Sequence, residues 1–236
     1  DALALHAIKL INDNILTACN TPDDLQARGA MQVGSFLAGV AFSHSMVGMV
    51  HGIAHALGGV YHIPHGLANT LILPEVMTYN LESKIDRYAD VALAMGVAFP
   101  SPVSDSQSVI KTGALDLISK AVRKTEHDGL KHLVDDKAHK FRNFAVKKLE
   151  TLGFVDDWVR RQAAVAGIEK VRILIRQLGF ITGMPLNLRE AGIDDRLARI
   201  EQVADTAMED GSMLYNPVEP TREAVMDIVK TAYNST

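Results

Sequence analysis

Residues 41–69 read AFSHSMVGMVHGIAHALGGVYHIPHGLAN, and this stretch decides the fold class and locates the candidate site. It holds five of the nine histidines of the chain, namely His44, His51, His55, His62 and His65. Apolar residues recur at helical spacing through its first part, while Pro64 and Gly66 bracket His65. The pattern predicts a helix from residue 43 to about residue 57, closed by Gly58 and Gly59, and then a loop that carries His65.

Three histidines of this stretch are predicted to share one helix face. At about 100° per residue, His44, His51 and His55 point within about 40° of one another. Gly48 lies among them, which leaves room for another group to approach closely. Imidazole is the commonest metal ligand, and two imidazoles one turn apart can bind one ion together with a third from the loop at His65. The spacing favours a metal or catalytic site over the alternative that these are ordinary core histidines.

One familiar metal motif is excluded. His51 and His55 have the spacing of the H-E-x-x-H zinc proteases, but Gly52 stands where the general-base glutamate belongs. Without that carboxylate, no group in the motif would deprotonate an attacking water. A hydrolase of this class is therefore not expected.

The composition is that of an ordinary globular protein, with 47% hydrophobic and 22% charged residues. A formal net charge of -4 provides no broad basic field, so no nucleic-acid partner is expected. Cys19 is the only cysteine, which excludes an internal disulfide and favours a reducing, cytoplasmic location. No stretch approaches the roughly 18 uninterrupted apolar residues of a membrane span, so no membrane partner is expected.

Helical periodicity extends over nearly the whole chain, and no alternating strand run is convincing. A first helix is predicted around residues 3–15, and a second begins after the Thr21-Pro22-Asp23-Asp24 cap and runs to about residue 40. Further helices are predicted at residues 67–79, 81–95, 106–123, 130–152, 158–178, 194–208 and 221–233. Pro74 should kink or end its helix, and Gly179 should stop another. The predicted fold class is all-α, in a single helical domain over residues 1–236.

Residues 41–59 and 62–69 resemble the signature of iron-containing alcohol dehydrogenases, and residues 1–8 and, more loosely, 178–193 are similar to flanking parts of that family. The resemblance implies the helical, bundle-like C-terminal domain of the iron-dependent alcohol dehydrogenase / dehydroquinate synthase-like fold. It also implies that the N-terminal dinucleotide-binding domain is absent, and no GxGxxG turn occurs in the sequence. Because the chain opens with neither Met nor a secretory leader, we expect a longer parent protein.

The resemblance also implies roles for individual residues. The family holds its metal with one aspartate and three histidines, and two of these histidines match His51 and His65. His55 matches a further active-site histidine near the substrate and the nicotinamide. The other aspartate and histidine belong to an upstream D-x-x-x-H motif, which Asp1 and His6 do not match. The implied reaction interconverts an alcohol and an aldehyde or ketone by metal-assisted hydride transfer, with Fe²⁺ or Zn²⁺ and with NAD or NADP.

Two features depart from the family pattern. His44 stands where related sequences usually carry Asn, and residues 99–166 do not align, so we predict a family-atypical helical insertion there that contributes no metal ligand. Two alternatives stay open: a non-catalytic helical metal-binding or interaction module, and a zinc-dependent glycerol dehydrogenase-like relative. The expected partners are a small alcohol or aldehyde and the missing dinucleotide-binding domain. The sequence leaves open the particular alcohol, NAD versus NADP, the metal, and whether the protein is a homo-oligomer.

Overall fold

The computed structural model describes residues 1–98, 154–194 and 196–235, and every regular element in these ranges is helical. The α-helices are α1 (Ala2–Asn20), α2 (Leu25–Ser45), α3 (Met49–Tyr61), α4 (His65–Asn80), α5 (Ile85–Ala94), α6 (Phe154–Thr182), α7 (Ile200–Met208) and α8 (Arg222–Asn234). Short 3₁₀ helices lie at Leu81–Ser83 and Gly211–Tyr215. The prediction of an all-α fold is confirmed.

Two compact units divide the chain, one made of Asp1–Val97 with Ala164–Thr236 and the other of Ala98–Ala163. The five clustered histidines of the sequence all lie in the first unit. The helices predicted at residues 106–123 and 130–152 lie outside the described residues. So does most of the segment predicted as an insertion, residues 99–166, and that prediction stays a prediction.

Helix α3 is the centre of the main hydrophobic core. Its residues Met49, Ile53 and Leu57 recur every four positions and are all completely buried. Side chains of this size each contribute about 1.5–3 kcal/mol when fully buried, so this face firmly anchors the helix. Helix α3 packs against α4, α7 and the 3₁₀ helix at Gly211–Tyr215, and α8 packs against α4 and α7. His51 and His55 are each offset by two positions from the buried row, which turns them away from the core.

The predicted single helix over residues 43–57 is wrong, because the chain breaks between Ser45 and Met49. Met46 has the positive φ of 60°, and Gly48 is the extended residue that precedes α3. Helix α2 therefore runs on to Ser45 instead of ending near residue 40, and α3 starts in a new direction, bent by 105°. In the part of the chain that the structure describes, no single helix has the length and hydropathy of a membrane span, and α2 with α3 passes that test only as this bent pair.

The helix end predicted at Gly58 and Gly59 is displaced, and Pro74 does not end its helix. Gly58 and Gly59 do not close α3, which continues to Tyr61 because its apolar face stays buried as far as Val60. Pro74 lies inside α4, which continues to Asn80. Both flanks of that proline carry buried residues, and their packing outweighs the one backbone hydrogen bond that proline removes.

The helices predicted at residues 158–178 and 194–208 also differ from the structure at their ends. Helix α6 passes through Gly179 and ends at Thr182, where Gly183 takes the left-handed conformation with a φ of 72°. The helix predicted at residues 194–208 begins only at Ile200, because Arg196 and Leu197 have positive φ values of 53° and 63°. Residues in this left-handed conformation cannot be part of a right-handed α-helix.

A reciprocal pair of amides holds the start of α3 in place. Asn80 Nδ2 donates to Asn216 Oδ1 at 3.0 Å, and Asn216 Nδ2 donates to Asn80 Oδ1 at 2.8 Å. The backbone N–H of Met49, the first residue of α3, also donates to Asn216 Oδ1 at 3.4 Å. Asn80 is only 3% exposed, so its amide depends on protein partners rather than water.

Asn216→Ala should lower the free energy of unfolding by about 1–3 kcal/mol, because it removes both bonds from the buried amide of Asn80. Chemical denaturation of the purified chain measures this loss. Asn234→Ala is the matched control, since Asn234 is exposed and its loss should cost less than about 0.5 kcal/mol. A loss no larger for Asn216→Ala than for this control would show that the amide pair does not stabilise the fold.

Candidate active site

Three imidazoles meet where α3 and α4 adjoin. The ring centroids of His51 and His55 are 5.9 Å apart, those of His51 and His65 are 5.4 Å apart, and those of His55 and His65 are 5.2 Å apart. His51 and His55 lie one turn apart on α3, while His65 is the first residue of α4. The structure therefore brings together all three of the residues to which the sequence analysis assigns site roles.

A short turn returns the chain to this point. His62 ends α3 in the left-handed conformation, with a φ of 60° and a ψ of 28°, and its N–H donates to Gly58 O at 3.0 Å. Pro64 then precedes α4, so that His65 lies in the first turn of this helix and not in a loop. The predicted loop at His65 is wrong in this respect, because proline is well suited to the start of a helix.

His44 does not lie on the helix that carries His51 and His55, because the break at Met46–Gly48 ends α2 before α3 begins. It belongs to α2, and its Nδ1 lies 2.9 Å from Val40 O on its own helix. The predicted stripe of His44, His51 and His55 required one continuous helix. That prediction is wrong for His44, because a 105° bend stands between the two helices.

The donor set fits a divalent transition metal in part. Two imidazoles that bind one ion at about 2.0–2.1 Å have ring centroids about 4.5–5.5 Å apart, and the His51–His65 separation of 5.4 Å lies in that range. Burial lowers the pKa of His51, and the charges of His65 and His55 lower it further, which favours the neutral form that binds metals. Within the described ranges, no group of three or more His, Cys, Asp or Glu residues has the geometry of a metal site. His51 and His65 thus offer two donors and not a complete coordination shell.

Asn69 lies one turn after His65 and contacts its ring. Its Nδ2 donates to the carbonyl oxygen of His65 at 2.9 Å and lies 3.1 Å from His65 Nε2. Asn69 Oδ1 is buried and has no hydrogen-bond partner among the described residues. A buried acceptor without a partner costs about 1–3 kcal/mol, so this oxygen is a point where a donor from a ligand would be favoured.

Asp210 is a site residue that the sequence analysis missed. Its Oδ2 lies 2.7 Å from Nδ1 of His55, although the two residues are 155 positions apart in the chain. Burial raises the pKa of Asp210, but hydrogen bonds from Ser212 and His55 outweigh this effect and lower the pKa to about 2. In the sequence, Asp210 precedes Gly211 in an irregular segment, and that pair is typical of a turn. No local signal pointed to His55.

A close approach at Gly52 explains how Asp210 reaches the cluster. A Cβ atom at Gly52 would lie 2.7 Å from Met213 Sδ and 3.4 Å from Ser212 Oγ. The 3₁₀ helix that follows Asp210 therefore packs directly on the backbone of α3, one turn before His55. Gly52 is the position where zinc proteases carry their glutamate, and here a side chain would require the Met213 side chain to move.

In the metal-free chain, His65→Asn should raise the pKa of His51, because it removes the nearest of the charges that oppose protonation of His51. NMR titration of the histidine rings measures this pKa. His62→Asn is the matched control and should leave it unchanged, since His62 lies at the end of α3 and outside the cluster.

The sign of the pH dependence follows from the same shift. Since the pKa of His51 is lower in the folded chain than the ordinary value of about 6.5, its contribution to stability is present above pH 6.5 or so. That contribution is lost as the pH falls through the folded-state pKa. An unchanged His51 pKa in His65→Asn would contradict the convergence of the two rings.

The described residues form an all-helical fold that gathers three imidazoles where α3 and α4 adjoin. The chain belongs to the Fe-containing alcohol dehydrogenase family, because the sequence model of the family's C-terminal region matches residues 1–128 and 130–233. This match runs through most of the segment predicted as an insertion.

Individual relatives give the same assignment. The chain is 47% identical over 96 residues to 1,3-propanediol dehydrogenase of Klebsiella pneumoniae, and 42% identical over 96 residues to NAD-dependent methanol dehydrogenase of Bacillus methanolicus. Each alignment covers 41% of this chain and 25% of the relative. Among solved structures, alcohol dehydrogenase from Oenococcus oeni matches with a TM-score of 0.67 and 26% identity, over 99% of this chain and 45% of that one. The chain spans less than half the length of these relatives.

Proposed function

We propose that this chain is the metal-binding part of an alcohol dehydrogenase that interconverts a small alcohol and an aldehyde or ketone, with NAD or NADP as the hydride carrier. The observation that carries the proposal is the convergence of His51, His55 and His65, with ring centroids 5.2–5.9 Å apart, in a member of this family. The relatives are named as dehydrogenases of propanediol and methanol, which supports a short alcohol as substrate.

His51 and His65 would hold the metal ion, Fe²⁺ by the family's name and Zn²⁺ as the alternative. Their ring separation of 5.4 Å and the lowered pKa of His51 support this role. When bound, a divalent ion polarises a substrate oxygen and makes an alcohol easier to deprotonate. The ligands that complete the shell would come from the upstream region of a longer form of the protein, since His51 and His65 offer two donors.

His55 would accept the proton that an alcohol releases on oxidation. Its ring stacks on that of His65 at 5.2 Å, so a substrate oxygen beside the metal ligands would also lie close to His55. The His55 side chain is 45% exposed, which leaves it a route to solvent for the proton. General acid–base groups of this kind typically contribute about 10²–10⁴-fold to a rate.

The nicotinamide cofactor would be held by a dinucleotide-binding region in a longer form of the protein. This part of the proposal is supported by the share of each relative that the chain covers, which is 25% for the methanol dehydrogenase and 45% for the solved alcohol dehydrogenase. The sequence also contains no glycine-rich phosphate-binding turn of the GxGxxG type. A cytoplasmic location is part of the proposal, because Cys19 is the only cysteine.

A non-catalytic metal-binding module is the second candidate. The lack of a GxGxxG turn in the sequence favours it, since hydride transfer needs a bound nicotinamide. The two candidates differ at His55, which a module that only binds metal does not need. Loss of turnover with retained metal in a His55 variant would therefore decide for the enzyme.

We expect the chain alone to bind metal weakly and to be inactive, and a form extended by its dinucleotide-binding region to be active. Both proteins are loaded with ferrous iron without oxygen, and NAD(P)-linked oxidation of several short alcohols is measured. In the extended form, His55→Asn should lower turnover by about 10²-fold or more with its iron retained. His51→Asn and His65→Asn should lose both iron and turnover.

His62→Asn is the control for these substitutions, because it changes a neighbouring histidine outside the cluster and should leave iron and turnover unchanged. Two results would contradict the proposal. One is turnover by the chain alone comparable to that of the extended form. The other is full activity of His55→Asn in the extended form.

A further inference from the structure

The two oxygens of Asp210 have different partners. Oδ1 accepts hydrogen bonds from the backbone N–H of Ser212, at 2.8 Å, and from the Ser212 hydroxyl. Oδ2 faces Nδ1 of His55 at 2.7 Å. The two Ser212 donors fix the orientation of the carboxylate plane, so that its other oxygen faces His55.

The segment that carries Asp210 is itself firmly placed. Asp210 caps the 3₁₀ helix Gly211–Tyr215, in which Ser212 is 9% exposed and Met213 is 4% exposed. Met213 packs on the backbone of α3 at Gly52. The segment that carries Asp210 therefore contacts the same helix that carries His55. The Asp210 side chain is 23% exposed, which makes its bond to His55 stronger than a fully solvated pair.

We propose that Asp210 is a positioning residue that fixes the neutral ring of His55 as the tautomer with its proton on Nδ1, so that Nε2 is the proton acceptor. For its catalytic meaning this proposal rests on the proposed dehydrogenase function. An ionised carboxylate only accepts hydrogen bonds, so the nitrogen that faces it must carry the proton. Asp210 is ionised at neutral pH, since the hydrogen bonds that it accepts outweigh burial and lower its pKa to about 2.

In the proposed reaction, the O–H bond of the alcohol would break and its proton would pass to Nε2 of His55. A bound oxidised nicotinamide would supply the acceptor for the hydride that leaves the carbinol carbon. His55 then carries protons on both nitrogens, and Asp210 stays ionised beside the new positive charge. The carbonyl product forms in the same step, and the proton on His55 leaves to solvent afterwards. Asp210 thus both selects the tautomer of the neutral His55 ring and stabilises that ring when it is protonated.

Asp210→Asn gives a sharp test because Ser212 dictates how the new amide must lie. Both Ser212 donors require the amide oxygen, so the amide Nδ2 would face His55 Nδ1 and donate to it. The proton of neutral His55 should then move to Nε2. Asp205→Asn is the matched control, since Asp205 is an exposed carboxylate on α7 that pairs with Arg222 and not with a histidine.

NMR of the chain labelled with ¹⁵N in its histidines, recorded under conditions in which the His55 ring is neutral, reports the tautomer directly. We expect His55 to carry its proton on Nδ1 in the unaltered chain and in Asp205→Asn, and on Nε2 in Asp210→Asn. A proton on Nε2 in the unaltered chain would overturn the proposal, and this measurement needs no variant to fold. An unchanged tautomer in a folded Asp210→Asn variant would also overturn it.

A second readout separates this proposal from the proposed function. In the extended, iron-loaded protein, Asp210→Asn should lower kcat by about 10²-fold, with the KM for the alcohol and the iron content nearly unchanged, while Asp205→Asn should behave like the unaltered protein. If the unaltered protein is inactive, the dehydrogenase function fails, and the tautomer measurement still decides on the positioning. If it is active and both variants match it, the positioning fails while the function stands.

Discussion

The site depends on one packing constraint, the contact between the bare backbone of Gly52 and the side chain of Met213. With 2.7 Å between Met213 Sδ and the place of a Cβ atom, a larger residue at position 52 would require the buried Met213 side chain to move. Asp210, which directly precedes the 3₁₀ helix Gly211–Tyr215, lies within hydrogen-bond distance of His55 although the two residues are 155 positions apart in the chain. Position 52, where zinc proteases carry a glutamate, is thus a contact between α3 and the segment that carries Asp210.

Two changes of chain direction complete the arrangement. The break at Met46–Gly48 frees α3 from α2 and lets its apolar row enter the core, while the amide pair of Asn80 and Asn216 secures the new helix start. The turn after Tyr61 reverses the chain and places His65 over the exposed side of α3. Because one face of α3 is buried, the opposite face, which carries His51 and His55, points away from the core, and the three imidazoles meet there. The described residues contain no strand and no disulfide.

Helical periodicity predicted the fold class and most helices, because each apolar stripe is a local pattern. It also predicted that His51, His55 and His65 share a site, since the first two are one turn apart and the third follows a proline-bounded turn. The prediction that His44 shares a helix face with His51 and His55 was wrong. The helix break after Ser45 leaves no strong sequence signal, because Ser45 and Met46 are acceptable in a helix. Asp210 was not predictable, since its partner lies 155 positions away and only tertiary packing joins them.

Anomalous diffraction at the iron edge, from crystals of the extended protein grown with ferrous iron, shows which side chains hold the metal. We expect one ion bonded to ring nitrogens of both His51 and His65 at about 2.0–2.2 Å, with His55 beside it and hydrogen-bonded to Asp210. An ion bonded instead to His44 or His62, or one without contact to His51 and His65, would rule out the proposed metal site.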